Sequence, residues 1–258
     1  MFNLIRELLN FEHGLILHVK FTSMKSLIIS VTALVIFISG AAQNCAGYYY
    51  LTNSEVEMTT YDKKAKESGK IVYTISGVNK NGNETTASFL SEMKDEKGKS
   101  LSKGAGKYKC SNGSLFIDAK VAMPQEQMAA YKEMDVKADE VFIEYPASLA
   151  AGQSLKDVSL KMEVINKGTV FSVITLDQTN RKVEGKESVT SPAGTWECWK
   201  ITYDGRFRST IGGPSGIGVP VNFKSTEWFA PGFGIVKTET YNKNDKLMGS
   251  TLITATKK

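Results

Sequence analysis

Histidine is absent from the region that the sequence predicts to be the mature protein. His13 and His18 are the two histidines of the chain, and both precede a predicted cleavage site between Ala42 and Gln43. Histidine is the commonest general base, the commonest zinc ligand and the usual partner of a serine or cysteine nucleophile. We therefore expect no zinc site and no histidine-based catalysis, and the composition favours binding over catalysis.

Carboxylates could still carry chemistry, because glycoside hydrolysis needs only two of them at a defined separation. Their spacing selects no pair among Glu144, Asp157, Glu163, Glu187, Glu197, Asp204, Glu227 and Glu239. Glu227 is the best single candidate, since Trp228 and Phe229 follow it and aromatic neighbours can stack on sugars and raise a carboxyl pKa. The alternative is an ordinary strand residue. We predict no catalytic residue, no metal site and no cofactor.

Three cysteines make an odd set, so at least one is free or paired outside the chain. Cys45 and Cys110 lie near loop-like sequence and form the candidate disulfide for an oxidising compartment. Cys198 lies in an apolar strand, where a small hydrophobic side chain is expected. A catalytic thiolate at Cys198 would need a cation to lower its pKa, and Lys200 is the only nearby cation in the sequence.

The N-terminal region predicts export. Met24 and Lys25 precede an apolar run over residues 27–38, and small residues lead to Ala42, which is the pattern of a secretory signal peptide. The run is shorter than the roughly 20 residues that a membrane span needs. A lipid anchor at Cys45 is an alternative, although the residues before it do not fit that signal. We predict an upstream extension and signal peptide over residues 1–42, and one domain over residues 43–258 in the periplasm or medium.

The charge balance excludes one class of partner. The chain carries a net charge of +5, and its lysines are scattered through turns and strand edges. Nucleic-acid binding favours arginine and aromatic residues on one stripe. After the predicted cleavage site only Arg181, Arg206 and Arg208 are arginines, so we expect no nucleic-acid partner. We also expect no transmembrane span after removal of the signal peptide.

Short apolar runs separated by turn residues dominate the mature region. Turns such as Asn-Gly at 81–82 and Lys-Gly at 167–168 are typical of hairpins. The predicted strands cover residues 56–61, 70–78, 84–94, 101–110, 114–119, 158–166, 169–176, 180–190, 196–208, 221–229, 235–241 and 247–256. This pattern predicts an all-β domain with a single curved antiparallel sheet, either a half-barrel or an open barrel.

One stretch has helical character. Residues 124–134 begin with a proline and carry a stripe of Met128, Tyr131 and Met134. Such a stripe usually packs into a core, but methionine also makes adaptable surfaces for apolar ligands. We predict one short helix here and keep the three residues as candidate ligand contacts.

The glycine-rich segment at residues 211–220 contains no phosphate-loop ending and no nucleophile elbow. It most simply links two strands at a sheet edge or pocket mouth. A functional contact is the alternative.

Two segments resemble a known family. Residues 191–203, SPAGTWECWKITY, and residues 227–237, EWFAPGFGIVK, are similar to signature segments of a family of unknown function. Its members are exported proteins of Bacteroidetes-type bacteria, some of them called TapB-like. The resemblance implies a large curved antiparallel sheet, similar to the half-barrel of periplasmic lipoprotein carriers, and it brings no established catalytic residues.

The resulting functional prediction is an exported, non-enzymatic binding protein of the cell envelope that holds an apolar or lipid-like ligand in the concave face of the sheet. Its candidate contacts are the aromatic and methionine side chains Met128, Tyr131, Met134, Trp196, Trp199, Trp228 and Phe229. The first alternative is a structural or interaction protein that contacts an envelope protein through sheet edges or the 211–220 segment. The second is a carboxylate-based hydrolase.

Overall fold

A computed structural model describes residue 45 and residues 48–123, 128–131, 133–213 and 215–258. Thirteen strands form one antiparallel sheet, which confirms the predicted fold class. The strands are β1 (Ser54–Asp62), β2 (Glu67–Asn81), β3 (Glu84–Asp95), β4 (Ser100–Ser111), β5 (Ser114–Asp118), β6 (Asp135–Ala138), β7 (Phe142–Tyr145), β8 (Val158–Asn166), β9 (Thr169–Ser191), β10 (Gly194–Ile211), β11 (Val221–Ala230), β12 (Gly234–Asn242) and β13 (Leu247–Lys257).

The order of the strands shows how far the sheet curls. It runs β6-β8-β9-β10-β11-β12-β13-β1-β2-β3-β4-β5-β7, so β6 and β7 are the two edges. Only residues 139–141 separate these edge strands in the sequence. A link of that length spans at most about 14 Å. The end of β6 and the start of β7 therefore lie close together.

Alternating side chains fill the interior of the curled sheet. Every strand except β6 contributes at least one fully or nearly fully buried hydrophobic residue: Val56, Ile75, Phe89, Tyr108, Leu115, Tyr145, Leu160, Ile174, Ile201, Phe229, Val236 and Ile253. Period-two alternation places such residues on one face, as in β8, where Val158, Leu160, Met162 and Val164 are buried. Burial of this apolar surface is the main contribution to folding.

Three hairpins share one turn design. The side chains of Asp62, Asp95 and Asn242 each accept hydrogen bonds from the backbone N–H groups two and four residues later. Aspartate and asparagine are favoured in turns because they can bond the local backbone in this way.

Residues 48–51 bring further aromatic side chains into the interior. Tyr49–Leu51 form a 3-10 turn, and Tyr50 and Leu51 are buried. The hydroxyl of Tyr48 donates to the carbonyl of Gly113 at 3.2 Å, and the backbone N–H of Tyr49 donates to the carbonyl of Gly232 at 3.2 Å. This short segment thus bridges the turns β4–β5 and β11–β12.

The structure joins Cys45 and Cys110 in a disulfide, with Cα atoms 5.6 Å apart, and leaves Cys198 as a buried free thiol. Burial raises the pKa of Cys198 to about 12. A thiol that holds its proton so strongly is a poor nucleophile. The surroundings of Cys198 therefore match those of a packed hydrophobic residue.

Two sequence predictions fall wholly or partly outside the described residues. The signal peptide over Met24 to Ala42 is one. The other is the predicted helix, of which Pro124 to Gln127 are not described, while Ala129–Tyr131 form a 3-10 turn. Among the described residues, no helix is long and apolar enough to cross a membrane.

Candidate functional site

The interior of the sheet contains a buried carboxylate, Glu227, on β11. Its side chain is 3% exposed. The Tyr145 hydroxyl donates to Oε2 at 2.7 Å, and the Tyr203 hydroxyl donates to Oε1 at 3.2 Å. Burial raises the pKa of Glu227 above its ordinary value of 4.5, while nearby Arg181 and the two hydroxyls act in the opposite direction.

Arg181 on β9 is the buried cation of this centre, with 1% of its surface exposed. Its guanidinium donates to the carbonyl oxygens of Lys156 at 2.9 Å and Glu144 at 3.3 Å. The guanidinium carbon also lies 5.4 Å from the ring centroid of Tyr145. Arg181 therefore fastens the connection between β7 and β8 to the sheet.

We call Glu227, Arg181, Tyr145 and Tyr203 the buried polar centre. A buried charge is tolerated when it is paired and hydrogen-bonded. The Glu227 carboxylate accepts two hydrogen bonds, and the terminal nitrogens of Arg181 donate to two carbonyls, but Nε of Arg181 is buried without a hydrogen-bond partner among the described residues. Both carboxylate oxygens of Glu227 are already engaged by protein hydroxyls. Through these two hydrogen bonds Glu227 links the edge strand β7 to β10 and β11 across the interior of the sheet.

The three tryptophans predicted as ligand contacts lie in three different surroundings. Trp228 is 5% exposed, and its ring lies beneath the ammonium groups of Lys200 and Lys237. Its Nε1 donates a hydrogen bond to Glu187 at 2.8 Å. The Trp199 ring lies under Lys186 at 4.7 Å. The Trp196 ring packs against Phe233 with centroids 5.0 Å apart.

Phe229 is 1% exposed and stacks on Tyr145 with ring centroids 4.5 Å apart. It therefore belongs to the core around the buried polar centre. Like Trp228, it is covered by protein atoms in this structure. That either residue contacts a ligand remains a prediction.

Met128, Tyr131 and Met134 are partly buried and pack against the core. The Tyr131 hydroxyl shares a 2.8 Å hydrogen bond with the hydroxyl of Ser209 on β10. We call Met128, Tyr131 and Met134 the methionine stretch. The bond from Tyr131 holds this stretch beside the end of β10.

A groove of about 420 Å³ lies over the middle of β9, β10 and β11 and the end of β12. Its walls include an ion pair of Lys224 with Asp245 at 2.7 Å and a hydrogen bond from Asn180 to Asp204 at 2.8 Å. Asn180 has a φ of 55°, next to a register shift between β9 and β10. Several polar groups of this groove thus bond one another.

The segment between β10 and β11 is the most exposed apolar feature of the described chain. We call residues 211–221 the aliphatic loop. Its exposed side chains are Ile211 at 62%, Ile217 at 89%, Val219 at 82% and Val221 at 43%. A monomeric protein usually scatters such residues singly, and a cluster of them marks a contact surface.

The described residues contain no group of three or more His, Cys, Asp or Glu side chains that could hold a metal ion.

The comparisons with known proteins agree with the architecture. Residues 53–253 match the family model described as DUF3108-like. The chain belongs to the DUF3108-like family. This result confirms the family of unknown function that the two sequence segments indicated. A comparison with curated proteins found no match.

Two solved structures share the fold of this DUF3108-like protein. One is a candidate lipoprotein of Parabacteroides distasonis, with a TM-score of 0.69 and 24% identity, covering 82% of this chain and 98% of its own. The other is a candidate exported protein with a YmcC-like fold from Bacteroides fragilis, with a TM-score of 0.64 and 21% identity. It covers 80% of this chain and 96% of its own. At these identities the likeness shows the fold.

Sequence reasoning identified Glu227 but missed its partners Tyr145, Tyr203 and Arg181. Tyr145 lies 82 residues from Glu227 in the sequence, on a short strand that the turn pattern did not reveal. Arg181 offered one signal, since it is an arginine within a predicted strand.

Proposed function

We propose that this DUF3108-like protein is an exported, non-enzymatic binding protein of the cell envelope that docks through the aliphatic loop. The main support is the exposure of Ile217 and Val219, at 89% and 82%, in a loop that is held by backbone hydrogen bonds. Apolar surface in water is unfavourable, so a contact that covers it releases free energy. The fold, shared with a candidate exported protein and a candidate lipoprotein, supports the envelope as the location.

Fractionation of cells that produce the protein tests this proposal. We expect the unmodified protein in the envelope fraction and the double variant Ile217→Ser, Val219→Ser in the soluble fraction. The matched control is Leu90→Ser, because Leu90 on β3 is 63% exposed but lies outside the loop. Retention of the double variant in the envelope fraction, at the level of the control, would contradict the proposal.

An apolar ligand remains a second candidate, favoured by the position of the methionine stretch. Met128 and Met134 pack against the core, and Tyr131 bonds Ser209 two residues before the aliphatic loop begins. Methionine side chains can repack around varied apolar shapes. A lipid-like molecule bound there would enter beside the docking loop.

Native mass spectrometry of protein purified from its own envelope fraction tests this second candidate. We expect extra mass that disappears on unfolding, and lower occupancy in the variant Met128→Ser, Met134→Ser. Met248→Ser is the control, since Met248 on β13 is 47% exposed. A mass without ligand, together with no binding of added acyl probes, would rule the candidate out.

The carboxylate hydrolase remains a hypothesis with weaker support. A general acid must reach its substrate. Glu227 is enclosed by Tyr145 and Tyr203 and is 3% exposed. A hydrolytic activity that is lost in Glu227→Gln, in a protein that remains folded, would reverse this ranking.

A further inference from the structure

We infer that the envelope component bound by the aliphatic loop is the lipid bilayer itself, at an anionic surface. The inference rests on the proposed function and names the partner that the loop contacts. Ile217 and Val219 would enter the boundary between headgroups and acyl chains, and Arg208 would lie among the phosphates.

The composition of the loop favours lipid over a protein partner. Residues 209–223 contain no Asp, Glu, Lys or Arg, although these types make up 23% of the chain. The most exposed side chains are branched aliphatics, Ile217 and Val219. Protein interfaces depend on Trp, Tyr and Arg anchors that fit pockets, and valine is under-represented among them. Acyl chains accept aliphatic groups without a matching pocket.

The backbone of the loop is organised before any contact. The N–H of Ile211 donates to the carbonyl of Ile217 at 3.2 Å, and the N–H groups of Gly212 and Gly213 donate to the carbonyl of Phe171 at 3.0 and 3.2 Å. The N–H of Gly216 donates to the carbonyl of Gly213 at 3.0 Å. Backbone groups near lipid favour internal partners, and the four N–H groups at the base of the loop have them.

The glycines of the loop allow it to fold tightly onto the end of β10. A Cβ atom on Gly216 would lie 2.2 Å from the carbonyl oxygen of Ile211, and one on Gly218 would lie 2.2 Å from that of Ser209. Only glycine fits such an approach of backbone to backbone. The close packing presents Ile217 and Val219 outward on a fixed base.

Arginine lies at the base of the loop. Arg208 is exposed, and its Nε donates to the carbonyl of Gly218 at 3.3 Å. Arg206 is exposed on the same strand, opposite Asp177 in the register of β9. Each basic residue near an anionic membrane surface contributes about 1 kcal/mol. Arg208 is therefore placed where a lipid phosphate would lie once the aliphatic side chains have inserted.

The proposed membrane contact does not involve Cys45. A lipid anchor at Cys45 would need its sulfur for a thioether, and that sulfur is bonded to Cys110 in this structure. The loop contact requires no acyl group.

Sedimentation with vesicles tests the inference. The probe is a vesicle of phosphatidylethanolamine and phosphatidylglycerol in a ratio of about 3:1, with phosphatidylcholine vesicles for comparison. We expect the mature protein to sediment with the anionic vesicles and the double variant Ile217→Ser, Val219→Ser to lose at least about tenfold in partition. Arg208→Gln should lose about fivefold on anionic vesicles only.

Leu90→Ser is again the control and should bind vesicles like the unmodified protein. No sedimentation of the unmodified protein, or equal sedimentation of the double variant, overturns the inference. If the loop is needed for envelope association in cells but the purified protein does not bind vesicles, the partner is a protein. In that case the inference fails and the proposed function stands. If the double variant stays in the envelope of cells, the proposed function fails as well.

Discussion

Glu227 and Arg181 carry charge inside the sheet, whereas Ile217 and Val219 expose aliphatic side chains at its surface. In the buried polar centre, hydroxyl and carbonyl groups of the same chain bond both charged side chains, and among its described side-chain atoms Nε of Arg181 is the one left buried without a hydrogen-bond partner. In the aliphatic loop, several backbone groups are hydrogen-bonded, but the apolar side chains are exposed to solvent. A group that finds its partners within the chain contributes to stability, while one that lacks them is available for binding. We therefore expect substitutions in the buried polar centre to lower stability, and substitutions in the aliphatic loop to weaken binding.

The largest effect is expected from Glu227→Ala. This change leaves the Tyr145 and Tyr203 hydroxyls without their acceptor and leaves Arg181 without its neighbouring negative charge. Breaking a buried charged network in this way costs about 3–5 kcal/mol of unfolding free energy. Urea denaturation measures it, with Glu197→Ala on β10 as the exposed control. A cost near that of the control would show that the centre is not a source of stability.

Tyr145→Phe should have the next largest effect. It removes one hydroxyl that donates to a carboxylate at 2.7 Å, and such a bond contributes about 1.5–3 kcal/mol. Tyr203→Phe removes the longer bond of 3.2 Å and should cost less. Thermal unfolding of the two variants compares them. The opposite ranking would mean that Tyr203 is the main partner of Glu227.

The pH dependence of stability gives a third comparison. Burial raises the pKa of folded Glu227 above 4.5, so the folded state keeps its proton at a pH where the unfolded state has lost it. This contribution is therefore present below pH 4.5 and falls as the pH rises through the folded pKa. The difference in unfolding free energy between the unmodified protein and Glu227→Gln should decrease over that range. Glu187, whose pKa is lowered by its hydrogen bond from Trp228, cancels in the difference.

The smallest effect on stability is expected from Ile217→Ser. The side chain is 89% exposed, and exposed substitutions usually change the unfolding free energy by less than about 0.5 kcal/mol. Differential scanning calorimetry should show an unchanged midpoint. A large destabilisation would mean that Ile217 packs within the protein rather than waiting for a partner, and the contrast between the two regions would disappear.

Local patterns in the sequence predicted most of the sheet. β8 ends at Asn166 and β9 begins at Thr169, on either side of the predicted hairpin turn at Lys167 and Gly168. The prediction of two strands over residues 169–176 and 180–190 was wrong, because β9 runs without a break to Ser191. Period-two alternation and turn residues carry this information because they act within a few residues. The sequence did not predict the short edge strands β6 and β7, because four residues are too few to show a periodic pattern.

The sequence was less informative about the sites. The aliphatic loop was visible as a glycine-rich segment, but whether its side chains are exposed depends on how it folds onto β10. The partners of Glu227 come from β7, β9 and β10, and no local pattern brings such distant positions together. Two of the expected ligand contacts, Trp228 and Phe229, proved to be buried under neighbouring groups that only the three-dimensional packing reveals.

The pairing of β1 with β13 has a consequence for the time course of folding. Val56 lies opposite Thr256, so a strand at the start of the domain has its neighbour some 200 residues later. During synthesis one side of β1 therefore stays unpaired until β13 has been made. An unpaired strand side is a template for association with other chains. The delay sets a period of vulnerability to misassembly that a protein with only neighbouring hairpins would avoid.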